Sequence, residues 1–275
     1  MIDVLVLFRH SQHADEELRY TLRSAEWFVE GMGKVWVLGD RPEWLAEDRS
    51  VVEQVEHQYL ARAFRFKLPV RNHYLLTLLG SLIPEMTNEF LWMADDNVFL
   101  APTNLEFLRQ VRAFEDLSKL TTRGRGIWKD ALWRTYDTLC RLGYPALNYE
   151  SHIPHVMTRK WVWESYCAFE DFISEDRHFG LLALTSIFNY RMQHEPFEPT
   201  WLLKEGHFLG LYKHAVVGAT PPNSVAGMTG PVLLVEQVRQ LTAGKTFFNF
   251  DDQSFTPAVR QFLHETFPEK SRFEK

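Results

Sequence analysis

Three places in this sequence set polar, chemistry-bearing residues directly behind an apolar run. Arg9-His10-Ser11 follows Val4 to Phe8, Asp40-Arg41 follows Lys34 to Gly39, and Asp95-Asp96-Asn97 follows Phe90 to Ala94. The last is the most informative. Adjacent carboxylates in apolar surroundings repel each other and are costly to desolvate unless a cation joins them. Carboxylate and amide oxygens suit a hard divalent cation such as Mg²⁺ or Mn²⁺. Such an ion can clamp a diphosphate and neutralise charge growing on a leaving nucleotide. An ordinary strand-end turn also accounts for these residues, because motifs this short match by chance.

The elements that must position these clusters follow from periodicity. Val4 to Phe8 reads as a strand buried on both faces of a parallel sheet. Asp15 is placed to cap a helix in which Leu18, Leu22, Ala25 and Val29 recur at helical spacing. Gly31-Met32-Gly33 ends that helix, and Lys34 to Gly39 is a second apolar strand. Strand, helix and strand with short joints make a βαβ unit, so the two strands should be parallel. Further strands are expected over Val51 to Val55 and Phe90 to Ala94. Helices are expected over Arg71 to Leu82, Leu105 to Phe114, Arg159 to Phe172, Phe179 to Tyr190 and Pro257 to Thr266. Ala219 to Pro231 reads as a loop. Ligands of open parallel sheets bind beyond the carboxyl ends of the strands, and all three polar clusters fall on that one edge.

The composition of the 275 residues, 45% hydrophobic and 24% charged, suits one large α/β domain. A net charge of -6 gives no global attraction to nucleic acid or an anionic membrane. The longest apolar runs are too short to span a bilayer, and Met1 to Phe8 lacks the features of a signal peptide. Cys140 and Cys167 form neither a disulfide framework nor a metal cluster, which points to reduced thiols in a cytoplasmic protein.

A hydrophobic strand leading into Asp95-Asp96-Asn97 resembles the DxD motif of GT-A glycosyltransferases. Other blocks resemble the Stealth family, whose members transfer hexose-1-phosphate from nucleotide-sugars. These are Glu17 to Ser24, Val35 to Leu45, the strand before Asp95, Phe248 to Asp252 and Phe267 to Glu274. The first strand departs from that family, ending in Phe8-Arg9-His10-Ser11 where Trp-Val-Asp-Gly is usual. The resemblance implies a single GT-A-like, Rossmann-like domain over residues 1–275, with a mainly parallel central sheet flanked by helices. Its nucleotide-binding half would be 1–115 and its acceptor-binding half 116–275. The implied activity is metal-dependent sugar transfer from a nucleotide-sugar, a UDP- or GDP-sugar, to a glycan, lipid or modified nucleic-acid base. Stealth-like hexose-1-phosphate transfer, and non-catalytic glycan or nucleotide binding on the same scaffold, are the alternatives.

By this resemblance Asp95 and Asn97 would ligate the metal or phosphate, and Asp96 would face the ribose or sugar. Asp40 would accept hydrogen bonds from base or ribose, with His10 beside it. Arg9 and Arg19 could fork onto the diphosphate, although a helix-surface ion pair with Glu16 or Glu26 suits Arg19 better. Arg71, Asn72 and His73 open a helix whose N-terminus favours anions. His207 or His214 lies where some GT-A enzymes place a last metal ligand. An inverting enzyme needs a carboxylate base; Asp176 is the first candidate, with Asp171 and Asp251 as alternatives. Pro154 prevents a regular helix through His152 and His155, which argues against a helical zinc site; one of them, His152 foremost, is then a sugar or acceptor contact, with a satisfied structural histidine as the alternative.

Other motifs fall away. Ala243-Gly244-Lys245-Thr246 lacks the earlier glycine of a P-loop, so Gly244 should instead cap a helix. No GxGxxG follows the first strand, which argues against a dinucleotide oxidoreductase. That strand also lacks the nucleophilic aspartate of an aspartyl-phosphate phosphatase. Arg123 to Lys129 with Trp133-Arg134 is basic and aromatic, as a single-stranded nucleic acid or a flipped base would require. An amphipathic helix with a solvated face accounts for it more simply.

Overall fold

The computed structural model describes residues 1–120, 126–176, 180–219 and 228–275. Arg123 to Arg125, Arg177, His178 and most of the loop expected over 219–231 therefore lie outside the described residues. β1 (Ile2–Phe8) is buried along nearly its whole length, as a strand covered on both faces must be. On one side β2 (Met32–Gly39) and then β3 (Val52–Val55) run parallel to it. On the other side β4 (Glu89–Ala94) is also parallel, and the strand His155–Thr158 closes that edge antiparallel. The chain is thus mixed α/β, with a mostly parallel central sheet.

Alternation along β1 sends side chains to opposite faces. Leu5 packs with Trp36, Phe90 and Trp92 into a core shared with the helices α3 (His73–Ser81), Arg159–Phe169 and Ala183–His194. Val4, Val6 and Phe8 face the opposite core, built on Leu18, Leu22 and Ala25 of α1 (Glu16–Phe28). Between β3 and α3 lies a short helix, α2 (His57–Ala63), which the sequence pattern did not announce. Gly80 of α3 sits where a Cβ would come 2.5 Å from Leu5, so α3 approaches β1 more closely than an alanine there would permit.

A second sheet lies against the α1 face. β5 (Asn97–Phe99) pairs antiparallel with Phe247–Phe250, which runs parallel to Phe208–Tyr212. Ala215–Val217 forms the outer edge. The far face of this sheet packs on the helix Pro257–Thr266 through Leu209, Leu211, Phe248, Phe250, Val259 and Leu263. Both sheets draw strands from either side of residue 115.

Several expectations change. The helix expected over Leu105 to Phe114 ends at Arg109. Arg112 is instead drawn inside, 1% exposed, by a 2.7 Å ion pair with Glu205. Residues Arg112–Ala113 then pair with Thr200–Trp201. The helix expected from Phe179 spans Ala183–His194. Asp15 precedes α1 but makes no capping hydrogen bond to it, because its left-handed backbone (φ 61°) turns the carboxylate back toward the preceding loop. Gly244, at φ 72°, follows the helix Val235–Thr242 as expected. Lys245 donates to the Gly206 and Gly218 carbonyls, which fixes it as a structural residue.

Candidate functional site

Parallel register aligns the exits of β1, β2 and β4. Phe8 lies beside Gly39 and Leu7 beside Ala94, so the three polar clusters leave the sheet together. Gly39 makes this possible. At φ 131° it passes the Phe8 carbonyl so closely that a Cβ would sit 2.0 Å from that oxygen. The next residue is Asp40, whose Oδ2 accepts the His10 backbone N–H at 2.9 Å. His10 Nδ1 lies 2.8 Å from Asp15 Oδ2, and Asp15 Oδ1 accepts the Ser11 N–H at 3.0 Å. The redirected Asp15 therefore organises the loop after β1. Arg9 and Arg71 are both exposed, with no partner among the described residues.

The Asp95-Asp96-Asn97 turn joins the two sheets. Asn97, 1% exposed, accepts the Ala94 N–H through Oδ1 at 2.9 Å. Its Nδ2 donates to Asp96 Oδ1 and to the His152 carbonyl, both at 3.2 Å. Its side chain is thus occupied in shaping the turn. Thr21 Oγ1 of α1 donates to the Asp95 carbonyl at 2.8 Å, and Asn249 Nδ2 donates to the Asp96 carbonyl at 3.1 Å. Both aspartate side chains are left at the carboxyl edge, partly open to solvent.

Neither carboxylate has a Lys, Arg or His partner among the described residues. Burial raises Asp95 to about 7, assisted by the charges of Glu17, Asp252 and Asp15. Asp96 is raised well above the carboxylate range by burial, by Asp95 and by Asp252. Glu17, 4% exposed, takes the Ser11 hydroxyl on Oε2 at 2.7 Å, while its Oε1 has no hydrogen-bond partner. The Oδ1 atom of the fully buried Asn249 is also unpartnered. The site is therefore a concentration of acid in which His10 and His13 reach only Asp15 and Glu17, and Asp95 and Asp96 have no basic partner among the described residues. Among the described residues no group of three His, Cys, Asp or Glu side chains is arranged to hold a metal by itself.

Glu17, Asp252, Asn249 and Tyr212 are site neighbours that the sequence reading did not assign. Tyr212 ends its strand beside the turn; burial, Asp96 and Asp251 push its phenol up, so it stays an O–H donor. The His152 ring lies 5.8 Å from that of Tyr212, and His152 takes a left-handed backbone (φ 50°). Glu150, two residues earlier, accepts the Thr185 N–H at 3.0 Å at the start of the helix Ala183–His194. Burial raises its carboxyl to about 7 against the pull of those backbone N–H groups.

Other expected residues serve elsewhere. Asn72 is buried and caps α3, accepting from the Tyr74 and Leu75 N–H groups. Its Nδ2 donates to the Ser174 carbonyl, so the α3 N-terminus is filled by the protein itself. His155 is buried, hydrogen-bonded to Ser151 at 2.9 Å and held neutral by burial at about 3. His207 lies at the Phe247–Phe99 end of the second sheet, packed on Phe107, away from the Asn97–Asn249 end. It is not brought to Asp95. His214 is exposed in the turn after Tyr212. Asp251 is engaged by the Ser254 and Lys213 N–H groups, and Asp171 is exposed in a 3-10 turn. Asp176 is exposed at the end of the described segment whose Ser174 carbonyl meets Asn72, and the residues that would begin a helix there lie outside the described ones. Arg19 pairs with Glu274 at 3.5 Å over the Trp44 ring, rather than with Glu16 or Glu26.

No protein-family model matches this sequence, and no curated protein matches it significantly.

Proposed function

We propose that this chain is a GT-A-like, metal-dependent glycosyltransferase that takes a sugar from a nucleotide-sugar. The observation that carries the reading is the Asp95–Asp96 pair, raised and without a counter-ion, at the carboxyl end of a central parallel strand. The strand order β3-β2-β1-β4, followed by an antiparallel strand, and an acid pair leading straight into a second sheet agree with such a fold. Asp95 and Asp96 would hold the divalent cation, Mn²⁺ or Mg²⁺. With so few protein ligands, water and donor phosphates would complete its shell, as is usual for Mg²⁺. Bound there, the ion supplies neutralisation of the diphosphate leaving group.

The remaining chemistry belongs to the chain's own residues. Asp40 at the end of β2 is placed for the nucleoside, with His10 held beside it. Arg9 is exposed nearby for phosphate. Tyr212, whose phenol feels the Asp96 charge, and His152, its ring 5.8 Å from that of Tyr212, would offer a hydroxyl and a ring face to a sugar. A base works best with a pKa near the working pH. Glu150 has that property, whereas Asp176 is exposed on the neighbouring segment. The blocks from Glu17 to Ser24 and Val35 to Leu45 favour a second reading, transfer of hexose-1-phosphate, in which phosphorus would move with the sugar.

The test is turnover of UDP- and GDP-sugars with Mn²⁺, by the intact protein and by Asp95→Ala. Donor consumption lost in a folded Asp95→Ala protein supports the reading, and unchanged turnover removes it. Product carrying the donor's β-phosphate together with the sugar, with nucleoside monophosphate rather than diphosphate released, would select the second reading.

A further inference from the structure

The chain between β3 and α3 has a property that the transfer chemistry does not use. Arg62, Arg65, Lys67 and Arg71 are all exposed within ten residues, in a protein whose net charge is -6. None of their side chains forms an ion pair, hydrogen bond or ring contact with a described residue. Several exposed cations elsewhere are ion-paired, among them Arg109 with Glu89, Lys160 with Glu195, and Arg272 with Glu26. Burial alternates along the segment. Phe64, Phe66 and Leu68 pack against the core, while Arg65, Lys67 and Pro69 face solvent. Phe64 and Phe66 stack at 5.4 Å, which fixes the ridge from beneath. Glu175, the carboxylate bonded to this segment, takes the Lys67 backbone N–H and leaves the ammonium group free.

Large rings border the same ridge. Tyr59 is 74% exposed and precedes Arg62 by three residues on α2, so the two share a helix face. Trp163 is 42% exposed and lies 6.1 Å from Phe64. Amphipathic rings beside unpaired Lys and Arg are the combination that settles at a bilayer's headgroup level, where each cation gains from anionic lipid. The segment starts from the carboxyl end of β3 and reaches the N-terminus of α3, the edge that carries Asp40 and Asp95.

We propose that the ridge from Tyr59 to Arg71, with Trp163 at its flank, docks this protein onto an anionic phospholipid surface. The carboxyl edge then faces the bilayer, where a lipid-linked acceptor would be presented. Docking needs neither donor nor metal, so it stands or falls separately from the sugar-transfer reading.

The experiment is vesicle flotation of the full chain. It compares phosphatidylcholine alone with phosphatidylcholine containing about a third phosphatidylglycerol. The expected result is flotation with the anionic vesicles only, weakened by raised salt. The triple variant Arg62→Glu, Arg65→Glu, Lys67→Glu should lose about tenfold or more of that binding. Tyr59→Ala should weaken it while leaving the charge intact. Circular dichroism and melting temperature check that both variants fold. Absence of flotation, equal flotation with neutral vesicles, or unchanged binding by a folded triple variant would overturn the proposal. So would capture of the protein by single-stranded DNA or heparin without vesicle binding, because the ridge would then serve a soluble polyanion.

Discussion

Replacing Asp95 by Asn should make the metal-free protein more stable, by an amount that grows as pH rises above about 4 and is complete above about 7. Asp95 is raised to about 7 by burial and by its acidic neighbours, against about 3.9 for an unperturbed aspartate. The sign follows from proton linkage. A carboxyl whose folded pKa lies above its unfolded one leaves the folded state undisturbed at low pH. It destabilises that state progressively as pH rises from about 4 to about 7. Three units correspond to a ceiling of about 4 kcal/mol. Asp95 keeps part of its surface in water and shares its shift with Asp96, so the expected gain is about 1–3 kcal/mol at pH 8. Urea unfolding of both proteins at about pH 4.5 and pH 8 measures it, with similar midpoints at the lower pH and a higher one for the variant at the upper. Saturating Mn²⁺ should invert the order, because a ligand of the folded state alone stabilises by mass action, about 2.7 kcal/mol at a hundredfold excess over Kd. A variant no more stable at pH 8, or one that responds to Mn²⁺ as the parent does, would refute this reasoning.

Further outcomes can be checked alongside. Glu274, with its side chain 3% exposed, is gripped by Arg23 Nε and Nη2 at 2.7 and 2.8 Å. Glu274→Gln should cost about 3–5 kcal/mol by stranding the buried Arg23, measured by urea unfolding at pH 7. Burial alone would raise the Glu274 carboxyl, but Arg23 and the Ser271 N–H outweigh it and hold the pKa below the usual range. That contribution should therefore be intact at neutral pH and disappear as pH falls below about 4. Gly39→Ala should cost about 2–4 kcal/mol and weaken nucleotide binding, because a Cβ there meets the Phe8 carbonyl and displaces Asp40. Asn249→Ala should weaken Mn²⁺ binding in calorimetry by releasing the Asp96 carbonyl, with a stability loss of about 1–3 kcal/mol. If Glu150 is the base, Glu150→Gln should remove the limb near pH 7 from the pH–rate profile, while Asp176→Asn keeps it.

The central sheet could be read from local pattern. The continuous apolar runs before Arg9, Asp40 and Asp95 became β1, β2 and β4, and register brought their polar ends to one edge. The final helix was also legible because Thr256, Pro257 and the spacing of Val259, Phe262 and Leu263 all act locally. The second sheet was not. Asn97 meets Asn249 across some 150 residues, and no periodicity in either segment specifies that pairing. For the same reason Asn249, Tyr212 and Asp252 were missed as neighbours of Asp95 and Asp96. Glu17 escaped notice because a carboxylate at a helix start ordinarily reads as a solvated residue favoured by the dipole. Asp15 and Asn72 show the converse. Both were marked correctly as polar residues at helix starts, yet one turned back to the loop and the other filled its own helix end.

Thermal unfolding with a panel of nucleoside diphosphates and nucleotide-sugars, with and without Mn²⁺, tests the central claim most directly when run on the parent and on Asp95→Ala. The expected result is a rise in melting temperature that needs both Mn²⁺ and one class of nucleotide, and that is absent from the variant. A nucleotide shift indifferent to Mn²⁺, one retained by Asp95→Ala, or no shift with any of these ligands would contradict it.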